Sequence, residues 1–160
     1  SPQARLRAPD IPGGAFESTR DLLRQMQAWC SEHPRGVVVH AAAVGDYEMA
    51  ASAGKIPSGQ ASLTLQLRPA PKILDQIRGW SPDLRIISFK AAPPTTSPDE
   101  LVRMAAAQRD RSGSDIVFGN ALGHLGADLV IVTAEGHRHH ETREAALLDL
   151  ETRIHAIRLD

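Results

Sequence analysis

A carboxylate, two lysines, an aromatic ring and a side-chain amide stand where short apolar runs of this sequence end. Asp46 follows Val37-Val38-Val39-His40-Ala41-Ala42-Ala43-Val44-Gly45, and Lys55 lies a little further on in Gly54-Lys55-Ile56-Pro57-Ser58-Gly59. Phe89 and Lys90 close the run that begins at Leu84, Asn120 follows Asp115-Ile116-Val117-Phe118-Gly119, and Thr133 follows Leu129-Val130-Ile131-Val132. In open parallel sheets, ligands bind beyond the carboxyl ends of the strands. Runs of this kind therefore predict that these residues converge on one crevice, where lysines meet anionic charge, a ring packs on a base, and Asp and Asn orient hydrogen bonds. The small side chains Ala41 to Ala43 leave room for a ligand there. The set suits an anionic ligand that carries a base or ring.

Each residue also has a plainer reading. Asp46 after a strand is a common turn-forming acid, Lys55 in a Gly/Ser-rich segment is a solvated lysine, and Phe89 at a strand end is core. Asn120 beside Gly119 holds a turn through its tolerance of left-handed backbone. His137-Arg138-His139-His140 reads as ordinary polar surface in a turn, because contiguous histidines lack the helical i, i+4 spacing of a built zinc site. No metal site is assigned.

The elements that must position these groups alternate along the chain. Ser1 to Gly14, with three prolines and two glycines, reads as an extended lead-in. From Glu17, the residues Leu22, Leu23, Met26, Trp29 and Cys30 fall on one helix face, with Ser18 or Thr19 as N-cap and Pro34 and Gly36 as the stop. Val37 to Val44 reads as a buried parallel strand. Residues 48 to 61 form a flexible arm, and Leu63, Leu65 and Leu67 alternate with polar residues as in a half-buried strand. Pro69 to Trp80 is a helix with Ile73, Leu74, Ile77 and Trp80 on one face, and Leu84 to Phe89 a second buried strand. After a loop from Pro93 to Pro98, Pro98-Asp99-Glu100 begins a helix with acids where they suit the dipole. Asp115 to Gly119 and Leu129 to Val132 are further strands, and Thr142 to Ile157 closes the chain as a helix with Leu147, Leu150, Ile154 and Ile157 on one face. Strands alternating with helices predict an α/β sandwich with a mainly parallel sheet.

Composition narrows the classes of function. The chain has 160 residues, 42% apolar and 23% charged, with net charge −1, as expected of a single globular domain. Eighteen basic residues against nineteen acidic ones exclude general attraction to nucleic acid or anionic membranes, so a charged ligand needs a local cluster. Lys55, Lys90, Arg109 and Arg111 are the candidates for that cluster. Cys30 is the only cysteine, which excludes an internal disulfide and fits a reducing, cytoplasmic setting. No apolar run approaches the roughly 20 residues of a membrane-spanning helix, and the start at Ser1-Pro2-Gln3 lacks the form of a signal peptide.

From about Pro12 to Ile157 the motif order is specific. Ala41-Ala42-Ala43-Val44-Gly45-Asp46-Tyr47 and Gly54-Lys55-Ile56 are followed by Leu63 to Leu67, Pro71-Lys72-Ile73-Leu74, Ile87-Ser88-Phe89-Lys90, Asp115 to Asn120 and Val130-Ile131-Val132-Thr133. In this order the sequence resembles the phosphopantothenoylcysteine synthetase (phosphopantothenate-cysteine ligase) family, over the C-terminal two-thirds of its domain. The resemblance implies a three-layer Rossmann-like sandwich and a ligase of coenzyme A biosynthesis that joins 4′-phosphopantothenate and cysteine through an acyl-nucleotidylate. It also implies CTP or ATP as co-substrate with Mg2+, no flavin in this domain, a homodimer, and a fused or separate decarboxylase as partner. Under it, Ala42, Ala43 and Asp46 contact the pantothenate chain, and Lys55 belongs to a flap and neutralises phosphate. Phe89 packs on the nucleotide base, Lys90 and Arg109 bind nucleotide, Asn120 serves nucleotide and intermediate, and residues 48–68 form flap and dimerisation arm.

The sequence also departs from the family. Pro57-Ser58 stands where a second lysine is frequent, and Gln108 and Ser112 stand where many bacterial members carry lysines, with Arg109 and Arg111 as compensating cations. The family's first strand and glycine-rich turn have no match, since Gly13-Gly14 follows no strand. Ser1 is accordingly expected to be a cut, an internal boundary or a disordered gap rather than a natural start, and the isolated chain to bind nucleotide weakly or not at all. The alternative is a non-catalytic nucleotide- or pantothenate-binding module of the same fold.

Overall fold

A computed structural model of the chain describes residues 15–49, 54, 58–59, 61–123 and 128–157. They fall into two compact units, one formed by the described residues of 15–25 and 43–72, the other by those of 26–42 and 73–157. Of the segment 48–68, expected to be arm and flap, the described residues belong to the first unit, and residues 50–53, 55–57 and 60 lie outside the described residues.

Helix α1 (Thr19–Glu32) passes from the first unit into the second, and Ser18 caps it by accepting the Asp21 N–H through Oγ at 3.1 Å. The first unit also holds an antiparallel ribbon of β2 (Tyr47–Met49) and β3 (Leu67–Pro69), in which Tyr47 pairs with Pro69 and Met49 with Leu67. Its polar face carries Glu48 opposite Arg68, and Arg20 from α1 grips Glu48. The strand expected over Leu63 to Leu67 is thus displaced: pairing begins only at Leu67, and Leu63 and Leu65 are exposed coil.

In the second unit, β1 (Val37–His40), β4 (Arg85–Ala92), β5 (Ile116–Ala121), β6 (Leu129–Thr133) and β7 (Gly136–His140) form one sheet in the order β1-β4-β5-β6-β7. The pairs β1-β4 and β4-β5 are parallel, and β5-β6 and β6-β7 antiparallel, so four of the five strands run the same way and β6 alone opposes them. Pleat alternation assigns the side chains to two faces. On one face, Val38, Ile86 and Leu84 pack with Cys30 and Met26 of α1 and Ile77 of α2 (Leu74–Trp80). Further along that face, Val117, Val130 and Val132 pack under Leu101 and Ala105 of α3 (Pro98–Ser112). On the opposite face, Ile87, Ile116, Phe118, Leu129 and Ile131 meet Ala146 and Leu150 of α4 (Arg143–His155). This is the α/β sandwich that the alternation of elements predicts, in the three layers that the family resemblance implies.

Local signals set the helix ends. Ser97 Oγ accepts the Glu100 N–H at 3.3 Å, Pro98 opens α3, and Gly113 ends it at φ 67°, its N–H donating to Arg109 O. Thr142 caps α4 through the Ala145 N–H. Two side chains assigned to buried faces lie outside them. Leu147 is exposed because Ala146 and Leu150 define the packed stripe of α4, and Trp29 is exposed, stacked on His33 at 4.6 Å between ring centroids. Helix α2 starts at Leu74 rather than Pro69, and His137 to His140, expected in a turn, form the edge strand β7.

Arg78 ties the amino edge of the sheet together. Its guanidinium donates to Pro82 O (2.7 Å), Leu84 O (2.6 Å), Gly113 O (2.5 Å) and Asp115 Oδ2 (3.0 Å). Replacing it leaves three carbonyls and a half-buried carboxylate without this donor. Arg78→Ala is expected to lower unfolding free energy by about 2 kcal/mol. Arg78→Lys should recover only part of the loss, since an ammonium cannot span four acceptors as a planar fork does. Urea unfolding of the three proteins checks this, and equal midpoints for wild type and Arg78→Ala would refute it.

Candidate functional site

The carboxyl ends of β1, β4 and β5 lie at one edge of the sheet, and β4 and β5 bring sequence-predicted residues there. In the β4-β5 register Phe89 pairs with Phe118, Lys90 with Gly119 and Ala91 with Asn120. Phe89 and Asn120 therefore share the face that α4 covers further along, while Lys90 projects from the opposite face. Phe89 is half-buried, with its ring centroid 5.4 Å from that of Phe118, so it is both part of the core and a partly open aromatic surface. Asn120 is half-buried on the same face. Lys90, half-buried as well, is separated from this pair by the sheet rather than set beside it.

Gly119 lies inside β5 and not in a turn, which removes the turn-forming reading of Asn120. The need for glycine is one of space. A Cβ there would come within 2.8 Å of Val130 Cγ1 and 3.4 Å of Leu101 Cδ1, so the missing side chain lets α3 and β6 close over the strand.

Behind Phe89, Gln108 donates through Nε2 to Phe89 O (3.2 Å) and Ser88 Oγ (3.1 Å). Ser88 and Ser114 share a hydroxyl hydrogen bond of 2.9 Å, and Ser112 Oγ donates to Gln108 O at 2.7 Å. Gln108 and Ser112, compared in sequence with lysine positions, are thus buried positioning groups that hold the end of β4. Their i, i+4 spacing on an otherwise amphipathic helix is the signal that could have marked them as inward-facing.

The remaining candidates are distributed differently. Ala42 is half-buried in the sheet unit, whereas Ala43 and Asp46 are exposed and belong to the ribbon unit. Asp46 anchors that ribbon with its backbone, its carbonyl accepting the Ala70 N–H at 2.9 Å. Lys55 lies outside the described residues. Arg109 and Thr133 are not brought to Phe89 and Asn120. Arg109 is in the last turn of α3, which leads into the beginning of β5, and Thr133 ends β6, the one strand that runs backwards. Both line a cleft of about 730 Å3 at the amino edge, with Arg85, Asp115, Glu135 and Arg153. The reversal was legible in chain length: residues 122–128 are too few for the crossover of a dozen or more residues that a parallel partner of β5 requires. Arg111 is held by Asp75 at 3.0 Å, so the expected cluster of Lys90, Arg109 and Arg111 does not form.

His40, at the end of β1, is a buried titratable group that its place in an apolar run does not mark in the sequence. Desolvation pushes its imidazolium pKa below the ordinary 6.5. The native state then binds fewer protons than the unfolded chain, so this contribution to stability is intact at pH 7.5 and is lost as pH falls through the unfolded value near 6.5. The loss levels off below the folded pKa. Urea midpoints at pH 7.5 and 5.5 are expected to differ less in His40→Gln than in wild type, and an unchanged difference would refute this.

A mostly parallel sheet flanked by helices, with an aromatic ring and an amide on one face at its carboxyl edge, defines a Rossmann-like α/β domain. The family model described as the C-terminal domain of DNA/pantothenate metabolism flavoproteins matches residues 7–152, and the chain belongs to this family. The chain is similar to the coenzyme A biosynthesis bifunctional protein CoaBC of Thermococcus kodakarensis, with 36% identity over 113 residues, 70% of this chain and 28% of that relative's length. Among solved structures, the DNA/pantothenate metabolism flavoprotein from Streptococcus pneumoniae superposes with a TM-score of 0.74 at 26% identity, covering 89% of this chain and 72% of that one. A Cab2 mutant in complex with phosphopantothenate-cysteine shares the fold, with a TM-score of 0.55 at 17% identity, over 97% of this chain and 59% of that one.

Proposed function

We propose that the protein containing this chain is a ligase of coenzyme A biosynthesis that joins 4′-phosphopantothenate to cysteine. The observation that carries the reading is the family match over residues 7–152. The likeness to CoaBC and the presence of Phe89 and Asn120 on one face at the carboxyl edge support it.

The reaction proceeds in two displacements. A substrate carboxylate oxygen attacks the α-phosphorus of CTP or ATP, and pyrophosphate leaves with the bonding electrons, giving an acyl-nucleotidylate. The cysteine amine then attacks the acyl carbon, the nucleoside monophosphate leaves, and loss of the amine proton completes the amide. Both steps bring anions together and develop charge on oxygen, so they need cations, positioning and oriented donors. In this scheme Phe89 packs on the base, and the Asn120 amide donates to the nucleotidylate. Lys55 neutralises phosphate, and Ala42, Ala43 and Asp46 receive the pantothenate chain, whereas Lys90, on the opposite face of the sheet, is not assigned to this nucleotide. Mg2+ arrives with the triphosphate as substrate. Oxygen ligands suit this hard cation, so the phosphates would hold it. A decarboxylase, fused or separate, supplies the consuming step.

The setting is cytoplasmic in this reading. Cys30 is free and buried, with burial pushing its thiol pKa up, and among the described residues no helix is long and apolar enough to cross a membrane.

In the full-length protein, Asn120→Ala and Lys55→Gln are each expected to lower amide formation about 10²-fold, the scale of losing one oriented donor or cation at a developing charge. Product mass spectrometry with pyrophosphate release checks this. Unchanged product formation in both variants would leave the non-catalytic binding module as the better account.

The ribbon supports a dimer. Tyr47, Met49, Leu63, Leu65 and Leu67 are 49–64% exposed, and the paired Met49 and Leu67 lie on the face opposite Glu48 and Arg68. In this proposal a second copy covers that apolar face, contributing to the roughly 800 Å2 per partner of a stable interface. Sedimentation should show a dimer for wild type and a monomer for Leu65→Asp; a wild-type monomer at high concentration would exclude the arrangement.

A further inference from the structure

Strand β7 places histidines at the free edge of the sheet in a pattern different from the turn expected there. Side chains two apart in a strand share a face. His137 and His139 accordingly project together, on the face of Val132 and Val130, their partners in β6. His140 projects from the other face, where its Nε2 lies 3.0 Å from Asp149 Oδ2. On a strand the chelating pair is i, i+2, not the i, i+4 of a helix.

The two rings stand 5.3 Å apart between centroids, at 87°. Two imidazoles on one tetrahedral ion, each with a metal–nitrogen bond of about 2.0 Å, hold their centroids about 5 Å apart. Rotation of a ring about Cβ–Cγ scarcely moves its centroid, so turning the rings brings a nitrogen of each toward a common point without moving the backbone. Both side chains are exposed and neither is engaged in a hydrogen bond or ion pair among the described residues. His139 also lines a pocket of about 490 Å3 together with Asp128 and Glu141.

We propose that His137 and His139 form a bidentate surface site for a divalent first-row transition ion such as Zn2+ or Ni2+. Imidazole nitrogens suit these ions and not Mg2+. Among the described residues no third His, Cys, Asp or Glu joins the pair closely enough for a complete centre, so water occupies the other positions. The site is independent of the ligase reading.

Calorimetric titration of the full chain with Ni2+ and with Zn2+ at pH 7.5 tests the proposal. One ion is expected per chain, with affinity at least about ten-fold weaker in His137→Asn and in His139→Asn, and unchanged in His33→Asn. Circular dichroism confirms that the exposed substitutions leave the fold intact. Wild-type affinity in either β7 variant, equal weakening in His33→Asn, or no binding by wild type overturns it.

Discussion

Asp115 binds the start of β4 twice over: its backbone N–H donates to Ile86 O at 2.8 Å, and its Oδ2 accepts the Ile86 N–H at the same distance. The carboxylate in turn receives Arg78 and Arg85. This clamp fixes which residue of β5 faces which residue of β4. A slip by one position would turn Phe89 or Asn120 to the opposite face, because strand side chains alternate with period two. The chemistry proposed for the carboxyl edge therefore rests on a charged, multiply hydrogen-bonded contact at the other end of the same strands. Arg78 extends the clamp to the α2–β4 and α3–β5 connections through Leu84 O and Gly113 O, so both crossovers end at one guanidinium.

Above the clamp, the Ser88, Gln108, Ser112 and Ser114 network holds α3 to the sheet. Buried polar groups stabilise only when connected, and each hydroxyl here has a partner. Apolar packing alone would let α3 slide along the valine-rich face. The amide of Gln108, shared between Ser88 Oγ and Phe89 O, sets its position relative to the end of β4. Gly119 completes the fit by leaving no Cβ between β5, Val130 and Leu101.

Much of this was legible in sequence, for physical reasons that differ between elements. Runs such as Ile86-Ile87-Ser88-Phe89 and Ile116-Val117-Phe118 are buried on both faces, and continuous apolar runs of that kind mark parallel strands. Ser97-Pro98-Asp99-Glu100 marked the start of α3 by capping chemistry. What stayed hidden was orientation and pairing. Thr133 was placed with Asn120 because an apolar run does not display its direction; only the short 122–128 connection does. The histidines of β7 lack the apolar alternation of a strand because both of its faces lie at an exposed edge, so nothing in their periodicity reported the ladder with β6. Leu63 and Leu65 misled in the opposite sense, having strand alternation but no partner strand within the described residues.

The reversal of β6 also decides how the charged residues are to be read. Arg85, Arg109 and Arg153 surround the amino-edge cleft, a concentration of cations that invites an anion-binding interpretation. Yet each faces a carboxylate: Arg85 meets Asp115, Arg109 meets Asp110, and Arg153 meets Asp149. Burial pulls the Asp149 carboxyl pKa upward, but Arg153, His140 and Arg138 outweigh it and hold the group below its ordinary range. Glu135 is lowered by its bond from Thr133 and by Arg109 and Arg153. Arg109 and Arg153 also lie in the last turns of α3 and α4, where a cation offsets the negative end of the helix dipole. The charge at this edge is thus compensated within the fold. Phe89, Lys90 and Asn120, at the opposite edge, enter no ion pair among the described residues, and that is the side from which the sheet can still offer its polar groups to a ligand.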